Sequence, residues 1–295
     1  MGAALKPPQI KRPATSIVQR WTHELKDLLG AEKLSLSEAR IGVFYTAAQI
    51  STGHLGVAFT PRGLTDTVCC PKSAASAPPA GTLIGRDAWE VAAFASSPSA
   101  LRRAAGVAVL NALSALAIER FGARGGRLVD GLDALDAAEV RPDDVVAMVG
   151  AFTPFIKKLK GHVAGIRVID GHPEALKPDE LGMWRTPFQA AETLAEATIV
   201  IISGTALVEG EIDNLLSAAA RARRVVLAGP TASPWPPPFF DSGVDVLGGI
   251  RVLDANKMLQ IVTEGGSGYF FAEAAEKICV LRDHGIPSVR LVQSA

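Results

Sequence analysis

The sequence predicts an α/β protein in which a small α+β domain is followed by a domain with a parallel, doubly wound sheet. After about residue 127, short apolar runs alternate with amphipathic stretches, which is the pattern of buried parallel strands joined by helices. Before that point, an amphipathic helix, a strand pair and an alanine-rich helical segment follow one another. A chain of 295 residues also exceeds the usual domain size of about 100–200 residues. We therefore expect domains at residues 1–126 and 127–295.

The elements of the first domain follow from spacing and punctuation. Apolar residues recur at helical spacing over residues 17–28, and Gly30 supplies a stop. The runs at 40–50 and 55–61 are rich in β-branched and aromatic residues and are separated by the turn-like sequence STGH, which predicts an antiparallel pair. Residues 88–121 are alanine-rich and predict helix, broken once at a Ser-Pro pair.

The second domain is predicted from five apolar runs, each followed by a turn signal. A sheet of this kind, with helices on both faces, is Rossmann-like. The glycine-rich stretch 264–271 resembles an anion-binding loop that leads into a helix, with a plain connection as the alternative. The five predicted strands lie at 144–150, 166–170, 198–204, 224–230 and 244–252.

Composition and charge restrict the class of function. The chain has 30 basic and 30 acidic residues, so we expect no nucleic-acid partner. No stretch approaches the ~18 apolar residues of a membrane span, and the first residues lack the apolar core of a signal peptide. The cysteines Cys69, Cys70 and Cys279 show no CxxC spacing. We therefore predict a cytoplasmic protein that binds a small molecule and no membrane, with a homodimer left open.

Candidate ligand-binding residues come from the predicted strand ends. In an open parallel sheet, ligands bind beyond the carboxyl ends of the strands, where helix N-termini present backbone N–H groups. Turns need Gly, Pro and Ser in any case, so a purely structural role stays the alternative for each candidate. With Gly53 from the first domain, the candidates are Gly150, Phe152, Thr153, Pro154, Asp170, His172, Gly204, Thr205, Gly229, Pro230, Thr231, Ser233, Gly248 and Gly249.

Two of these regions also supply candidate catalytic residues. His54 follows Gly53 between the two predicted N-terminal strands and is a possible proton carrier. Asp170 lies 20 residues beyond Gly150, where an acidic residue binds ribose in dinucleotide- and S-adenosylmethionine-binding proteins. The alternatives are a solvated loop histidine and an aspartate that begins the turn DGHP.

The sequence narrows the cofactor class without naming a cofactor. The stretch VVAMVGAFTPFI has one glycine where the dinucleotide fingerprint needs three, so classical NAD or FAD binding is not expected. In the proline-rich run 230–240, Trp235, Phe239 and Phe240 are available to stack on a planar ligand, with core packing favoured for the two phenylalanines. A transition metal or a pterin- or flavin-like ligand stays open.

Several longer segments carry a family resemblance. The segments VGAFTPFIKKL, IISGTALVEGEIDNLL and LAGPTASPWPPPFFDSGVDVLGGIRVLD resemble the putative heavy-metal-chelation family. The resemblance implies a first domain folded like the N-terminal domain of enolase, a Rossmann-like second domain and a site in the cleft between them. It also implies a pterin-, flavin- or siderophore-type chelator as ligand, bound with or without condensation or hydrolysis. A metal-binding protein without turnover and an S-adenosylmethionine-dependent methyltransferase are the alternatives.

Overall fold

The computed structural model describes residues 15–62, 77, 78 and 80–283. Cys69 and Cys70 lie outside these residues. The first part of the chain forms an antiparallel sheet with strand order β1-β2-β3. Its strands are β1 (Leu36–Ile41), β2 (Tyr45–Ile50) and β3 (Leu55–Phe59), and its helices are α1 (Ile17–Leu29), α2 (Ala88–Ala92) and α3 (Ala100–Phe121), with a 3-10 helix at Ala93–Ser96.

A second sheet of eight strands begins at Gly126, with strand order β4-β11-β10-β9-β8-β5-β6-β7. The neighbours from β10 to β7 are parallel, whereas β11 and β4 are antiparallel to their neighbours. Its strands are β4 (Gly126–Asp130), β5 (Val145–Val149), β6 (Gly165–Ile169), β7 (Trp184–Arg185), β8 (Ile199–Ser203), β9 (Arg224–Ala228), β10 (Val246–Val252) and β11 (Ala275–Arg282).

Short helices connect these strands and cover the sheet. They are α4 (Ala134–Ala137), α5 (Thr153–Leu159), α6 (Ala190–Ala195), α7 (Thr205–Glu209), α8 (Ile212–Ala218), α9 (Pro237–Phe240) and α10 (Ala255–Thr263). Four 3-10 helices lie at Pro173–Ala175, Pro178–Met183, Pro187–Gln189 and Gly268–Glu273. The α/β class is confirmed, and all five predicted strands of the second sheet form.

The long helix α3 is the central element of the first part. It packs on β2 and β3 so closely that a Cβ at Gly56 would lie 2.2 Å from the carbonyl oxygen of Ala108. Within the described residues, α3 is the one helix long and apolar enough to cross a membrane, but most of it is buried inside the protein. Its apolar character is accounted for by the core, where Leu110, Leu113 and Leu116 are fully enclosed.

The structure corrects two predictions about the elements. The segment after the glycine-rich stretch forms strand β11, not a helix, and it pairs antiparallel with β10 from Val246 to Val252. Its apolar residues Ile278 and Val280 point into the core with Cys279 also buried, so tertiary packing overrides the helix-favouring alanines and glutamates. A strand missed by the sequence, β1, precedes the predicted pair and completes the first sheet.

The proline-rich segment is part of the core and not of an open rim. Trp235 is 1% exposed and Phe239 is fully buried. Phe239 packs edge-on against Trp21 with ring centroids 5.5 Å apart, and the indole N–H of Trp235 donates to Glu24 Oε2 at 3.2 Å. Trp235 therefore has no free face to stack on a ligand.

The strand order creates a reversal between β5 and β8. From β5 the chain moves outward to β6 and β7, and it then returns to the other side of β5 to form β8, β9 and β10. The connections after β5 and after β8 therefore diverge to opposite sides and leave a crevice between them. Ligands in open α/β sheets bind at such a topological switch point.

Buried hydrogen bonds fix β3 of the first sheet beside the loop after β9. The side-chain amide of Asn111 on α3 donates to the carbonyl oxygens of Val57 at 2.8 Å and Thr231 at 2.9 Å. The backbone N–H of Phe59 donates to Thr231 Oγ1 at 2.9 Å. These three bonds hold the carboxyl end of β3 over the carboxyl edge of the second sheet.

Candidate functional site

A cavity of about 410 Å³ lies at the switch point. Its size falls within the range of small-molecule sites, about 300–1,000 Å³. Residues from the end of β3 form one side, and residues that end or follow β5, β6 and β8 form the other. The lining consists of Phe59, Pro61, Arg62, Gly150, Ala151, Phe152, Asp170, His172, Ser203, Thr205 and Glu209.

Gly150 brings the loop after β5 close to β8. Its φ of +92° lies in the left-handed region, which favours glycine. A Cβ at this position would lie 3.2 Å from Ser203 Cβ, and the Gly150 N–H donates to the carbonyl oxygen of Ile169 at 2.9 Å. The glycine is therefore required both for the turn and for the close approach of two cavity-lining segments.

Asp170 combines the two roles that the sequence left open. Its carboxylate accepts from the backbone N–H of Ala151 at 3.1 Å and from that of His172 at 2.9 Å. The Asp170 carbonyl oxygen accepts from the indole N–H of Trp184 at 2.9 Å. Asp170 is thus a turn residue that joins the loops after β5 and β6, and it also lines the cavity.

Glu209 is a second carboxylate in the lining. Although its side chain is exposed through the cavity, the surrounding walls remove enough water to raise its pKa, and the charges of Asp170 and Glu211 act in the same direction. A hydrogen bond from Thr205, one turn earlier on α7, and the charge of Arg103 oppose that rise. The result is a carboxyl group that holds its proton more readily than an isolated glutamic acid does.

Aromatic rings form the apolar part of the site. Phe152 stacks on Phe155, with centroids 5.1 Å apart and planes 9° from parallel. Phe59, at the end of β3, contributes a second ring to the lining. Arg62 lies over the ring of Phe44, with its guanidinium carbon 5.3 Å from the centroid. The cavity thus offers flat apolar surfaces beside carboxylates and hydroxyls.

The structure brings together Gly150, Phe152, Asp170, His172 and Thr205 from the predicted set. The other predicted positions lie outside the lining. Thr153 and Pro154 are exposed at the start of α5, and Gly229 and Pro230 form the turn after β9. Gly204, Gly248 and Gly249 are buried, and a Cβ added at any of them would lie within 2.8 Å of a neighbouring atom.

Two predicted hydroxyl residues have structural partners instead. Thr231 is 2% exposed, and its Oγ1 accepts from the Phe59 N–H, as described above. Ser233 Oγ donates to the carbonyl oxygen of Ile250 and accepts from its N–H, both at 3.0 Å. Both residues fasten the loop after β9 to other strands.

His54 and Gly53 lie at the opposite end of β3 from the cavity. Five residue steps along β3, about 17 Å, separate His54 from Phe59, the nearest cavity residue in the sequence. The His54 ring nitrogens contact Thr52 Oγ1 at 2.9 Å and Glu119 Oε2 at 3.1 Å. His54 and Asp170, the two alternative candidates for the proton carrier, therefore lie in different places, and of the two only Asp170 lines the cavity.

Sequence reasoning missed six lining residues, Phe59, Pro61, Arg62, Ala151, Ser203 and Glu209. Ser203 ends a predicted strand, and Glu209 lies one helical turn after the predicted Thr205, so both had a local signal. Phe59, Pro61 and Arg62, at the end of β3, had no such local signal, because their position over the second sheet depends on contacts between residues far apart in sequence.

The described residues do not form a protein metal cage. Among the residues that the structure describes, no three His, Cys, Asp or Glu side chains lie close enough together to hold a metal ion. Asp170, Glu209 and His172 line one cavity, yet His172 Nδ1 contacts Glu174 Oε1 at 3.0 Å. The described residues therefore do not supply the three or four protein ligands that a zinc-like site needs.

Comparisons with known proteins identify the family. The family profile DUF364, described as putative heavy-metal chelation, matches residues 133–281, which is half of the chain. The chain belongs to this family. A second profile with the same description, DUF4213, matches residues 23–114. The family resemblance seen in the sequence is thus confirmed.

Relatives and solved structures agree with the fold. The uncharacterized protein MJ0500 of Methanocaldococcus jannaschii is 30% identical over 199 residues, which cover 66% of this chain and 71% of the relative. A crystal structure of a family protein with unknown function from Pyrococcus horikoshii has a TM-score of 0.73 at 21% identity, and covers 90% of this chain and 100% of its own. A family protein from Desulfitobacterium hafniense has a TM-score of 0.67 at 19% identity, covering 88% and 98%.

Proposed function

We propose that this protein binds a small planar organic molecule in the cavity at the switch point. The observation that carries the proposal is the composition of the lining, in which Phe59 and Phe152 stand beside the carboxylates of Asp170 and Glu209. Ligand sites in proteins combine apolar walls with a few convergent polar groups in this way. A heteroaromatic or chelator-like compound fits both parts of the lining.

The family description mentions a heavy metal, and we propose that such a metal is bound by the organic molecule and not directly by the protein. Because the described residues form no group of three metal ligands, the donor atoms for a metal would come from the bound compound. Soaking the protein with Ni²⁺, Co²⁺, Fe²⁺ or Zn²⁺ alone and then desalting should leave less than stoichiometric metal. Retention of one metal ion per chain would favour a metal-binding protein instead.

A cavity-filling variant tests the proposal directly. Ala151 lines the cavity and Leu at this position adds three carbon atoms to it, whereas Thr153 is exposed two residues later and outside the lining. Native mass spectrometry of gently purified protein, together with thermal shift against planar heterocycles and S-adenosylmethionine, identifies bound compounds. We expect Ala151→Leu to lower affinity at least tenfold and Thr153→Leu to leave it unchanged.

The outcomes separate the alternatives. Equal binding by the wild type and Ala151→Leu would place the ligand elsewhere and refute the proposal. Selective binding of S-adenosylmethionine would move the assignment to a methyltransferase. If a bound compound changes mass on incubation with the protein but not without it, the protein also catalyses its condensation or hydrolysis, with Asp170 or Glu209 in the cavity as proton carriers.

A further inference from the structure

The polar wall of the cavity consists of groups that accept hydrogen bonds. Both oxygens of Asp170 are acceptors for backbone N–H groups, and Glu209 accepts from Thr205. Ser203 Oγ accepts from the Thr205 N–H at 3.3 Å. Of the lining residues, Arg62 and His172 supply the charged or titratable donors, and they come from separate loops. A ligand that lies against Asp170 and Glu209 must therefore bring its own donors.

Arg103, the cation whose charge lowers the pKa of Glu209, is already engaged by main-chain oxygens. Arg103 of α3 donates to the carbonyl oxygens of Ser97 at 2.9 Å and Pro98 at 2.8 Å, before the helix, and to those of Val208 and Glu209 in α7. These bonds tie α7 to the start of α3 and use the guanidinium on main-chain oxygens. Within the described residues, neither Asp170 nor Glu209 has an ion-pair partner.

The absence of a direct ion pair at these two carboxylates has a chemical consequence. Two carboxylates that share one cavity repel each other, and a group with positive charge between them removes that repulsion. An organic cation also supplies the N–H donors that the wall lacks, and its flat part can lie on the aromatic side of the cavity. A neutral or anionic compound of the same shape provides neither.

We propose that the ligand carries a cationic, N–H-rich group that lies against Asp170 and Glu209, an inference that rests on the proposed function. The entering cation favours the ionised form of Glu209, so in the pH range where Glu209 is partly protonated, binding displaces its proton to solvent. The groups that face Glu209 are Asp170, Glu211, Thr205 and Arg103. Of these, Asp170 and Glu211 favour the protonated form, and the entering cation opposes them.

Three probes of one shape test the charge preference. Benzamidine, benzamide and benzoate are planar and nearly equal in size, and they are cationic, neutral and anionic at pH 7. Titration calorimetry of the full chain should give benzamidine an affinity at least tenfold higher than that of benzamide, with benzoate weakest. Repeating it at acidic pH, where Glu209 is partly protonated, in buffers with different ionisation enthalpies should show proton release on benzamidine binding.

The pH dependence and two variants identify the group that ionises. Because the pKa of Glu209 is raised from 4.5, benzamidine affinity should increase as pH rises above 4.5 and level off once Glu209 is ionised. Glu209→Gln should lower the affinity at least fivefold and abolish both the proton release and this pH dependence. Glu192→Gln, an exposed change on α6 outside the lining, should match the wild type.

Different failures have different meanings. If benzamide or benzoate binds as tightly as benzamidine, and Ala151→Leu still weakens that binding, the cationic class is wrong and the cavity remains a ligand site. If Glu209→Gln leaves benzamidine affinity and its pH profile unchanged, the proposed contact with Glu209 is refuted. If Ala151→Leu has no effect on any bound compound, the proposed function itself fails.

Discussion

At the scale of single residues, Glu209 links the cavity to stability. Its raised pKa means that the folded protein holds the proton more tightly than the unfolded chain, chiefly because of desolvation. This stabilising contribution is complete below the unfolded pKa near 4.5 and is lost as pH rises through the folded pKa. An ionised Glu209 is therefore less favourable than a neutral side chain at neutral pH.

We expect Glu209→Gln to raise the free energy of unfolding at pH 7 by about 0.5 kcal/mol or less, since exposure screens the charge. The gain should disappear near pH 4, where the wild-type side chain is protonated in both states. Urea unfolding at the two pH values measures the difference, with Glu192→Gln as control. A variant less stable than wild type at pH 7 would contradict this account.

Substitution of Asp170 affects stability as well as the cavity, because its side chain holds two loops together. Its carboxylate accepts from two backbone N–H groups, so Asp170→Ala leaves both without their partner. We expect that change to destabilise the protein by about 1–3 kcal/mol. Asp170→Asn retains one acceptor oxygen and should cost less. Thermal and urea unfolding of both variants checks the order; an Asp170→Ala variant as stable as wild type would show that these bonds contribute nothing.

At the scale of elements, the turn after β5 depends on one glycine. Gly150 and Gly53 have nearly equal φ values of +92° and +90°. A Cβ added at Gly150 would lie 3.2 Å from Ser203 Cβ, whereas a Cβ added at Gly53 would have no atom within 4 Å. Alanine at either site costs about 1–2 kcal/mol for the left-handed backbone. Gly150→Ala should cost roughly 1 kcal/mol more, because overpacking adds to it.

Chemical denaturation of the two variants gives that difference directly. Ligand binding provides a second measurement, since only Gly150 lines the cavity. Gly53→Ala should bind like the wild type, and Gly150→Ala should bind more weakly. Equal stability losses and equal affinities in the two variants would remove the packing role assigned to Gly150.

The strands also show how far local patterns reach. All five apolar runs of the second sheet form strands because each is a short run rich in Val and Ile between turn signals, a pattern that holds wherever the strand lies in the sheet. Strand β11 (AEKICVLR) failed this test, since its first three residues, Ala, Glu and Lys, favour helix. Its conformation follows from pairing with β10 and β4 on both sides.

At the scale of the whole molecule, Asn111 joins the two sheets. Its amide group, 2% exposed, bridges the carbonyl oxygens of Val57 on β3 and Thr231 after β9. Asn111→Ala leaves both buried acceptors unpaired and should cost about 2–4 kcal/mol. Asn214→Ala, which removes one exposed contact with Glu211, is the control and should cost under about 0.5 kcal/mol.

The same variant should disturb the cavity from a distance. Because Phe59, Pro61 and Arg62 follow β3, loosening Asn111 releases one wall of the site without changing the other. We expect Asn111→Ala to weaken ligand binding at 15 °C, where the protein remains folded, as measured by calorimetry. Unchanged affinity in a destabilised variant would mean that the wall holds its place without this bridge.

The sequence by itself determined the fold class, five of the eight strands of the second sheet and five of the eleven residues that line the cavity. Gly150, Phe152, Asp170, His172 and Thr205 were identified because a parallel strand always delivers its following residues to the same edge. That rule is local, so one chain segment suffices to apply it. It does not say which strand ends are neighbours.

The tertiary structure alone decided the rest of the site. The reversal between β5 and β8, the placement of β3 above it and the burial that raises the pKa of Glu209 all depend on contacts between distant segments. His54 and Thr231 carry suitable chemistry in the sequence, yet one lies at the far end of β3 and the other is enclosed by structural bonds. The chemical type of each side chain is known from the sequence, whereas the distances between side chains and their access to solvent are set only when the strands are ordered and packed.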